Sequence, residues 1–383
     1  MKEGWILKRL FEVGSFQRGK GIQKVDFVNN GMPCIHYGQI HTSFGIATSQ
    51  HISEISEELF SQSVIARTGD LLFALTSEDV EGSCKATAWM GYYDVAVSSD
   101  AAIFRHTLNP KFVSYFFGSK AFFRQKQKFA RGFKVTHIKT SDVASFEILV
   151  PPLAEQERIV AELDLLTEII DKQKAQIKEL DTLAQSIFYD MFGDPVENEK
   201  GWEIQRLGDI CNFSQGLQVD VEKQSTVPQE GWYRFLRIVD YTSDNQDVRY
   251  IHDNNPKYWI SKDDIAMVRY GSVGVVGSDK EGILANNLFR INYPRNCLNK
   301  YFLVQLFRTD YFTSFIKKTA FGATMPALSF KTISSFLIYL PPLSLQQSFA
   351  DKINTIEQQK AAITQSIAET QKLFDYTMDK YFG

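Results

Sequence analysis

From Ile159 onward the chain sets Ile159, Leu163, Leu166, Ile170, Gln173, Ile177, Leu180, Ala184, Ile187 and Met191 at alternating steps of four and three. That spacing keeps one stripe of an α-helix on a single seam, as in a coiled coil. The pattern returns near the C-terminus as Phe349, Ile353, Ile356, Lys360, Ile363, Ile367, Thr370, Phe374, Thr377 and Tyr381, apolar at most positions. A lone amphipathic helix leaves such a stripe in water, so two of them in one chain most simply bury each other. The pattern therefore predicts an intramolecular two-helix coiled coil of about 35 residues a strand, ~50 Å long at 1.5 Å per residue. The apolar seam positions form its expected interface, and the orientation of the pair stays open.

Each stripe follows a proline pair. Pro151-Pro152-Leu153 with Gln156 recurs as Pro341-Pro342-Leu343 with Gln346. Two prolines set an extended entry and leave the next residue free to open a helix. Upstream of each pair, short apolar runs such as 70–75, 95–97, 103–104 and 264–268 alternate with turn residues and predict strands.

The whole plan is duplicated. Gly4, Trp5, Arg9, Leu10, Phe16 and Gly19 recur as Gly201, Trp202, Arg206, Leu207, Phe213 and Gly216. Toward the ends, Asn109, Phe112, Phe117, Phe122, Gly132, Phe146 and Ile148 recur as Asn299, Phe302, Phe307, Phe312, Gly322, Phe336 and Ile338. A repeat of this kind marks two units of one design. The expected organisation is a mixed α/β (α+β) domain over 1–150, a first helix and linker over 151–200, a second domain over 201–340 and a second helix over 341–383.

Composition adds bounds. Apolar residues are 44% and charged residues 23% of the 383, with no run near the ~18 apolar residues of a membrane helix. The N-terminal stretch is interrupted by charges too early for a secretory signal, so a cytoplasmic location is expected. Cys34, Cys84, Cys211 and Cys297 stand singly, without zinc-ligand spacing, and are read as reduced structural thiols.

A net charge of −3 argues against a polyanionic partner only until its distribution is inspected. Between Ala101 and Ser141 there is no acid, against Arg105, Lys111, Lys120, Arg124, Lys126, Lys128, Arg131, Lys134 and Lys139. Between Arg290 and Lys331 seven bases face only Asp310, whereas the first helix and linker are acidic. Basic surfaces repeated on two globular parts suit contact with DNA at two places. The candidate DNA contacts are Lys111, Lys120, Arg124, Lys128, Arg131, Gly132, Lys134, Thr136, His137 and Lys139 in the first copy. In the second they are Arg237, Arg269, Ser272, Lys317, Lys318, Gly322, Thr324 and Lys331. The loops around Gly132 and Gly322 differ between the copies, so two different half-sites are expected. The phenylalanines threading the first basic block fit a buried stripe better than a base-stacking platform. His36 and His137 could meet DNA, although ordinary core or surface roles suit them better.

The apparatus of a DNA enzyme is not found. No acid has a lysine two places later, which excludes the D/E-x-K form of a nuclease site. The proline pairs lack the polar residue and ring of an adenine methyltransferase's N-P-P-[FY]. The glycine-rich stretch 271–277 has the wrong spacing for a dinucleotide loop and reads as a strand turn. No phosphate-loop lysine motif is present, and the histidines show no pattern for metal or nucleophilic catalysis.

Two α/β halves, each closed by the P-P-L-x-x-Q signal and a long helix, resemble the specificity subunit of type I restriction-modification systems. The resemblance covers nearly the whole chain. Its clearest motifs are 150–160 and 340–347, although the second copy has Gln-Ser-Phe-Ala (347–350) where the first has Glu-Arg-Ile-Val (157–160). The resemblance implies a non-catalytic subunit whose two target-recognition domains bind the halves of a split double-stranded DNA target. Its paired helices would act as spacer and dock modification (methyltransferase) subunits, two in number, with restriction (translocase and nuclease) subunits joining them. It also implies that S-adenosylmethionine, ATP and Mg²⁺ belong to those partners and that this chain holds no cofactor or metal. The alternative is a coiled-coil scaffold that binds proteins without reading DNA.

Overall fold

The computed structural model describes residues 4–130, 136–243, 247–253, 255–320 and 327–383. The chain forms two compact units: Met1–Gln173 with Ser366–Gly383, and Lys174–Gln365. Both are mixed α/β, and a 40-residue helix follows each globular part, Leu153–Phe192 after the first and Leu343–Phe382 after the second. No helix among the described residues is long and apolar enough to cross a membrane.

In the first unit, Ile6–Arg9 pairs antiparallel with Glu147–Val150, the strand that runs into the proline pair. A five-stranded sheet has the order Gly14–Arg18, Ala101–His106, Leu71–Ala74, Ala86–Trp89, Ala47–Thr48. Leu71 to Ala74 are buried on both faces, as the unbroken apolar run requires. A four-stranded sheet has the order Ser53–Ile55, Met32–Ile35, Val95–Val97, Val64–Ala66.

The second unit repeats this topology without a counterpart of Ala47–Thr48 among the described residues. Glu203–Arg206 pairs with Leu337–Leu340. One sheet runs Asn212–Gln215, Leu288–Asn292, Ile265–Val268, Val276–Gly277, and the other Arg249–Ile251, Tyr233–Leu236, Gly282–Leu284, Trp259–Ile260. The glycine-rich stretch is the turn between two antiparallel strands, with Gly271 and Gly274 at φ 75° and 84°. Side chains rarely adopt those angles, which accounts for the glycines without a dinucleotide.

The P-P-L-x-x-Q signal has a structural cause. Gln156 is buried; its Nε2 donates to Pro151 O (2.9 Å) and its Oε1 accepts from Asn109 N (2.8 Å). Asn109 in turn caps the helix Pro110–Phe117 by accepting from Lys111 N and Phe112 N. Gln346 does the same for Pro341 and Asn299, with a further bond to Cys297 O. One amide thus ties the start of each long helix to the last globular helix pair before it. Gln156→Ala leaves two buried backbone groups unpaired and should cost about 2 kcal/mol of stability, measurable as a lowered denaturant midpoint. Gln156→Glu should be no better, since the Pro151 carbonyl then loses its donor.

The long helices pair antiparallel in each unit. In the first, Gln173 Nε2 donates to Ser366 Oγ (2.7 Å) and the Tyr381 hydroxyl to Glu162 Oε2 (2.7 Å). In the second, Lys360 bonds Asp181 at 2.7 Å, and Phe188 and Phe192 pack on Phe349. The expected seam is buried or half-buried throughout, with one shift. Phe188 and Phe192 are fully buried, whereas the neighbouring Ile187 and Met191 are half-buried, because this end of the helix also faces the globular core. Correspondingly, Met378, Tyr381 and Phe382 join Phe112, Phe116 and Ile159 in the core of the first unit. Each globular core is therefore completed by the last turns of the helix that follows the other copy.

The cysteines form no disulfide; Cys34, Cys84 and Cys211 are buried, and burial pushes each thiol's pKa up to about 12.

Candidate nucleic-acid interface

The structure redistributes the charges that are segregated in the sequence. Lys111 pairs with Asp164 and Lys120 with Asp379, both at 2.6 Å, so two bases of the first block neutralise acids of the long helices. Arg105 grips buried Asp70 with Nε and Nη2 at 3.0 and 2.7 Å. Lys126 is 4% exposed and donates to the carbonyls of Glu81 and Ser83; burial lowers its pKa. Lys111 is thus engaged within the fold, whereas Lys120 keeps 67% of its side chain exposed beside Asp379.

Arg237 is engaged too. It bonds Asp247 within a network that includes Arg249, and Arg234 pairs with Asp240. His36 is 6% exposed, and its Nδ1 accepts from Gly38 N at the start of a short helix. Burial lowers its pKa, and it serves the core.

Arg124, Lys128 and Lys139 remain exposed in the first unit, as do Ser272, Lys317, Lys318 and Lys331 in the second. Arg308, which the sequence reading did not single out as a contact, is exposed as well. Arg131, Gly132, Lys134, Gly322 and Thr324 lie outside the described residues.

Both units build the same frame at one end of the central sheet. Gly19 N donates to Ala101 O in the first, and Gly216 N to Leu288 O in the second. Leu75 N meets Asp100 O at 2.8 Å, and Arg269 N meets Asn287 O at 2.9 Å. The backbones of Thr76 and His137 pair, as do those of Tyr270 and Ala327. This end of the strand Ala101–His106 is opposite the end that leads to Asn109 and the Gln156 tie, five strand steps or ~17 Å away at 3.4 Å per residue.

The glycines have a specific reason. A Cβ on Gly19 would sit 2.1 Å from Ser98 O, and one on Gly216 2.2 Å from Ala285 O. The chain passes against the strand end so closely that only glycine fits. The residue before each glycine then lies over the next carbonyl. Arg18 Nε donates to Ser99 O (2.7 Å), and Gln215 Nε2 donates to Asn286 O (3.2 Å).

On this common frame the side chains differ. The first unit presents Arg18, Asp100, Thr76 and His137, and the second Gln215, Asn287, Tyr270 and Ala327. Arg18 reaches Asp100 at 3.4 Å, with the two side chains 54% and 43% exposed, so both keep most of their hydrogen-bonding capacity for a ligand. In the second unit Arg269 Nη1 donates to Gln215 Oε1 (2.9 Å) while its guanidinium lies 5.0 Å from the Tyr270 ring centroid. Of the residues singled out from sequence, Thr136, His137 and Arg269 belong to this end. Arg18, Asp100, Gln215 and Asn287 were missed. The signal for Arg18 and Gln215 was available: each precedes a glycine shared by the two copies, yet the two residues differ.

A family model described as the type I restriction modification DNA specificity domain matches residues 2–181 and again 199–372. The type I restriction enzyme EcoKI specificity subunit of Escherichia coli (strain K12) is 21% identical over 422 residues, covering 100% of this chain and 89% of that protein. The MjaIX specificity subunit of Methanocaldococcus jannaschii is 23% identical over 303 residues, covering 70% and 67%. Among solved structures, a type I restriction-modification S subunit from M. genitalium superposes with a TM-score of 0.57 at 15% identity, covering 99% of this chain and 96% of that one. A chain from a study of complex assembly and conformational transition of the type I R-M system gives 0.56 at 20% identity, covering 100% and 98%. At those identities the structural likeness is one of fold.

Proposed function

The chain belongs to the family of type I restriction-modification DNA specificity domains, and from that premise we propose that it is the sequence-specificity subunit of a type I restriction-modification complex. Each unit reads one part of a split double-stranded DNA target. The observation that carries this reading is the duplicated sheet end, where one backbone frame displays two unlike sets of side chains, with Arg18 and half-buried Asp100 in one unit and Gln215 and Asn287 in the other as its accessible polar groups. A reader of two different half-sites needs that combination, because hydrogen-bond donors and acceptors held on a fixed frame are what distinguish base edges.

The exposed bases supply the sequence-independent part of binding. Arg124, Lys128 and Lys139 in one unit and Lys317, Lys318 and Lys331 in the other give six positive charges free for phosphates. The paired helices act as spacer and as docking surface for modification subunits, two in number. Leu165, Leu183, Leu373 and Tyr376, exposed on the helices, supply apolar area for that contact. Restriction subunits complete the assembly in the cytoplasm. The chain itself is a non-catalytic reader; S-adenosylmethionine serves the modification subunits, and ATP with Mg²⁺ the restriction subunits.

Salt dependence separates this reading from a scaffold. Six phosphate contacts should lower the affinity of the assembled complex for duplex DNA by about 10³ between 50 and 200 mM salt. A flat salt profile, or no binding to duplex at low salt, would contradict DNA reading.

A further inference from the structure

We infer that the sheet-end residues Arg18 and Asp100 determine recognition of a G·C pair in one half of the target, and that Gln215 and Asn287 determine recognition of an A·T pair in the other. The inference rests on the reading of this chain as a DNA specificity subunit and assigns the base-discriminating side chains that such a reading leaves open.

Equivalent backbone bonds fix these positions in both units, at Gly19 and Gly216 and at the carbonyls of Asp100 and Asn287. Arg18 offers a guanidinium fork whose match in the major groove is the O6 and N7 of guanine, and Asp100 an acceptor suited to the amino group of cytosine. Asn287 offers an amide whose donor and acceptor match the N6 and N7 of adenine, and Gln215, bonded to Asn286 O and Arg269, keeps its second N–H and second lone pair for the same edge. Arg18 is held in place by its bond to Ser99 O, and Gln215 by its bond to Asn286 O and by Arg269. Such anchoring lowers the entropy cost of presenting a side chain to a base. The positions lie at one end of the sheet, beside the Thr76–His137 and Tyr270–Ala327 pairings.

The test uses the full chain assembled with the modification subunits of its own system and a randomised pool of duplex DNA. The wild-type complex should enrich a split motif. Arg18→Gln with Asp100→Asn should reduce discrimination at a G·C pair in one half by about 10- to 100-fold and leave the other half unchanged. Gln215→Glu with Asn287→Asp should do the same at an A·T pair in the other half, the carboxylate still accepting from Arg269 while losing the amide donor. Thermal unfolding and complex assembly should match wild type, since all four side chains are at the surface.

Equal loss of affinity for all duplexes would make these residues backbone contacts and overturn the inference, as would an unchanged motif or loss of discrimination at the opposite type of base pair. In each of those cases a wild-type split motif would leave the proposed function standing. A wild-type complex that enriches no motif would remove the function and the inference together.

Discussion

Phe382→Ala should destabilise the first unit by about 3–5 kcal/mol, the cost of emptying a buried aromatic site, although the residue lies next to the C-terminus. Phe382 is 6% exposed, its ring 5.1 Å from that of Phe112 and 6.3 Å from that of Phe116. It thus packs where the helix Pro110–Phe117 meets the core. Ser366–Gly383 belongs to the same compact unit as the first globular part, so the cavity opens far from the mutated residue in sequence. Hydrogen exchange should show lost protection in Leu71–Ala74 and Ala101–His106, with Ile265–Val268 unaffected. The mirror variant, Phe192→Ala, should do the reverse. Its ring is 4.8 Å from Phe302 and 5.3 Å from Phe349. If Phe382→Ala weakened the second unit instead, the assignment of helix ends to cores would be wrong.

Gly19→Ala should cost about 3 kcal/mol or more, at or beyond the upper end of ordinary overpacking. The new methyl would meet Ser98 O at 2.1 Å and Val97 O at 2.5 Å, and both are backbone atoms that cannot swing aside. Relief requires the chain around Arg18 to pull off the strand end, breaking the bond from Gly19 N to Ala101 O. Arg18 then loses its seat over Ser99 O. The variant should therefore show both a lowered melting temperature and, at temperatures where it stays folded, relaxed discrimination in one half of the target. Retained stability with wild-type discrimination would mean that the close approach is not needed to place Arg18. Gly216→Ala makes the equivalent prediction for the second half.

Much of the architecture was legible because it is local or periodic. The heptad stripes found both 40-residue helices, the proline pairs marked where they begin, and the apolar runs found strands such as Ile265–Val268. The strand turn within 271–277 followed from the glycine spacing and from the polar run 278–282 after it. The candidate site was read less well, for a single physical reason. Its decisive contacts join residues far apart in sequence, such as Lys120 with Asp379 and Arg18 with Ser99.

A count of charges cannot reveal that an acid on a distant helix neutralises Lys111 or that Lys126 is spent on two carbonyls. Nor does periodicity report which strand end is open. The shift from Ile187 to Phe188 has the same origin: the heptad describes what faces the partner helix, while burial also counts what faces the globular core.

The most direct test of the two-reader account is to map methylated adenines genome-wide after co-expressing the chain with modification subunits from its own locus, and then to exchange residues 1–150 for another first reader. The native chain should give a split motif, and the exchange a change confined to one half of it. A continuous motif, or an exchange that alters both halves, would contradict the two-reader account.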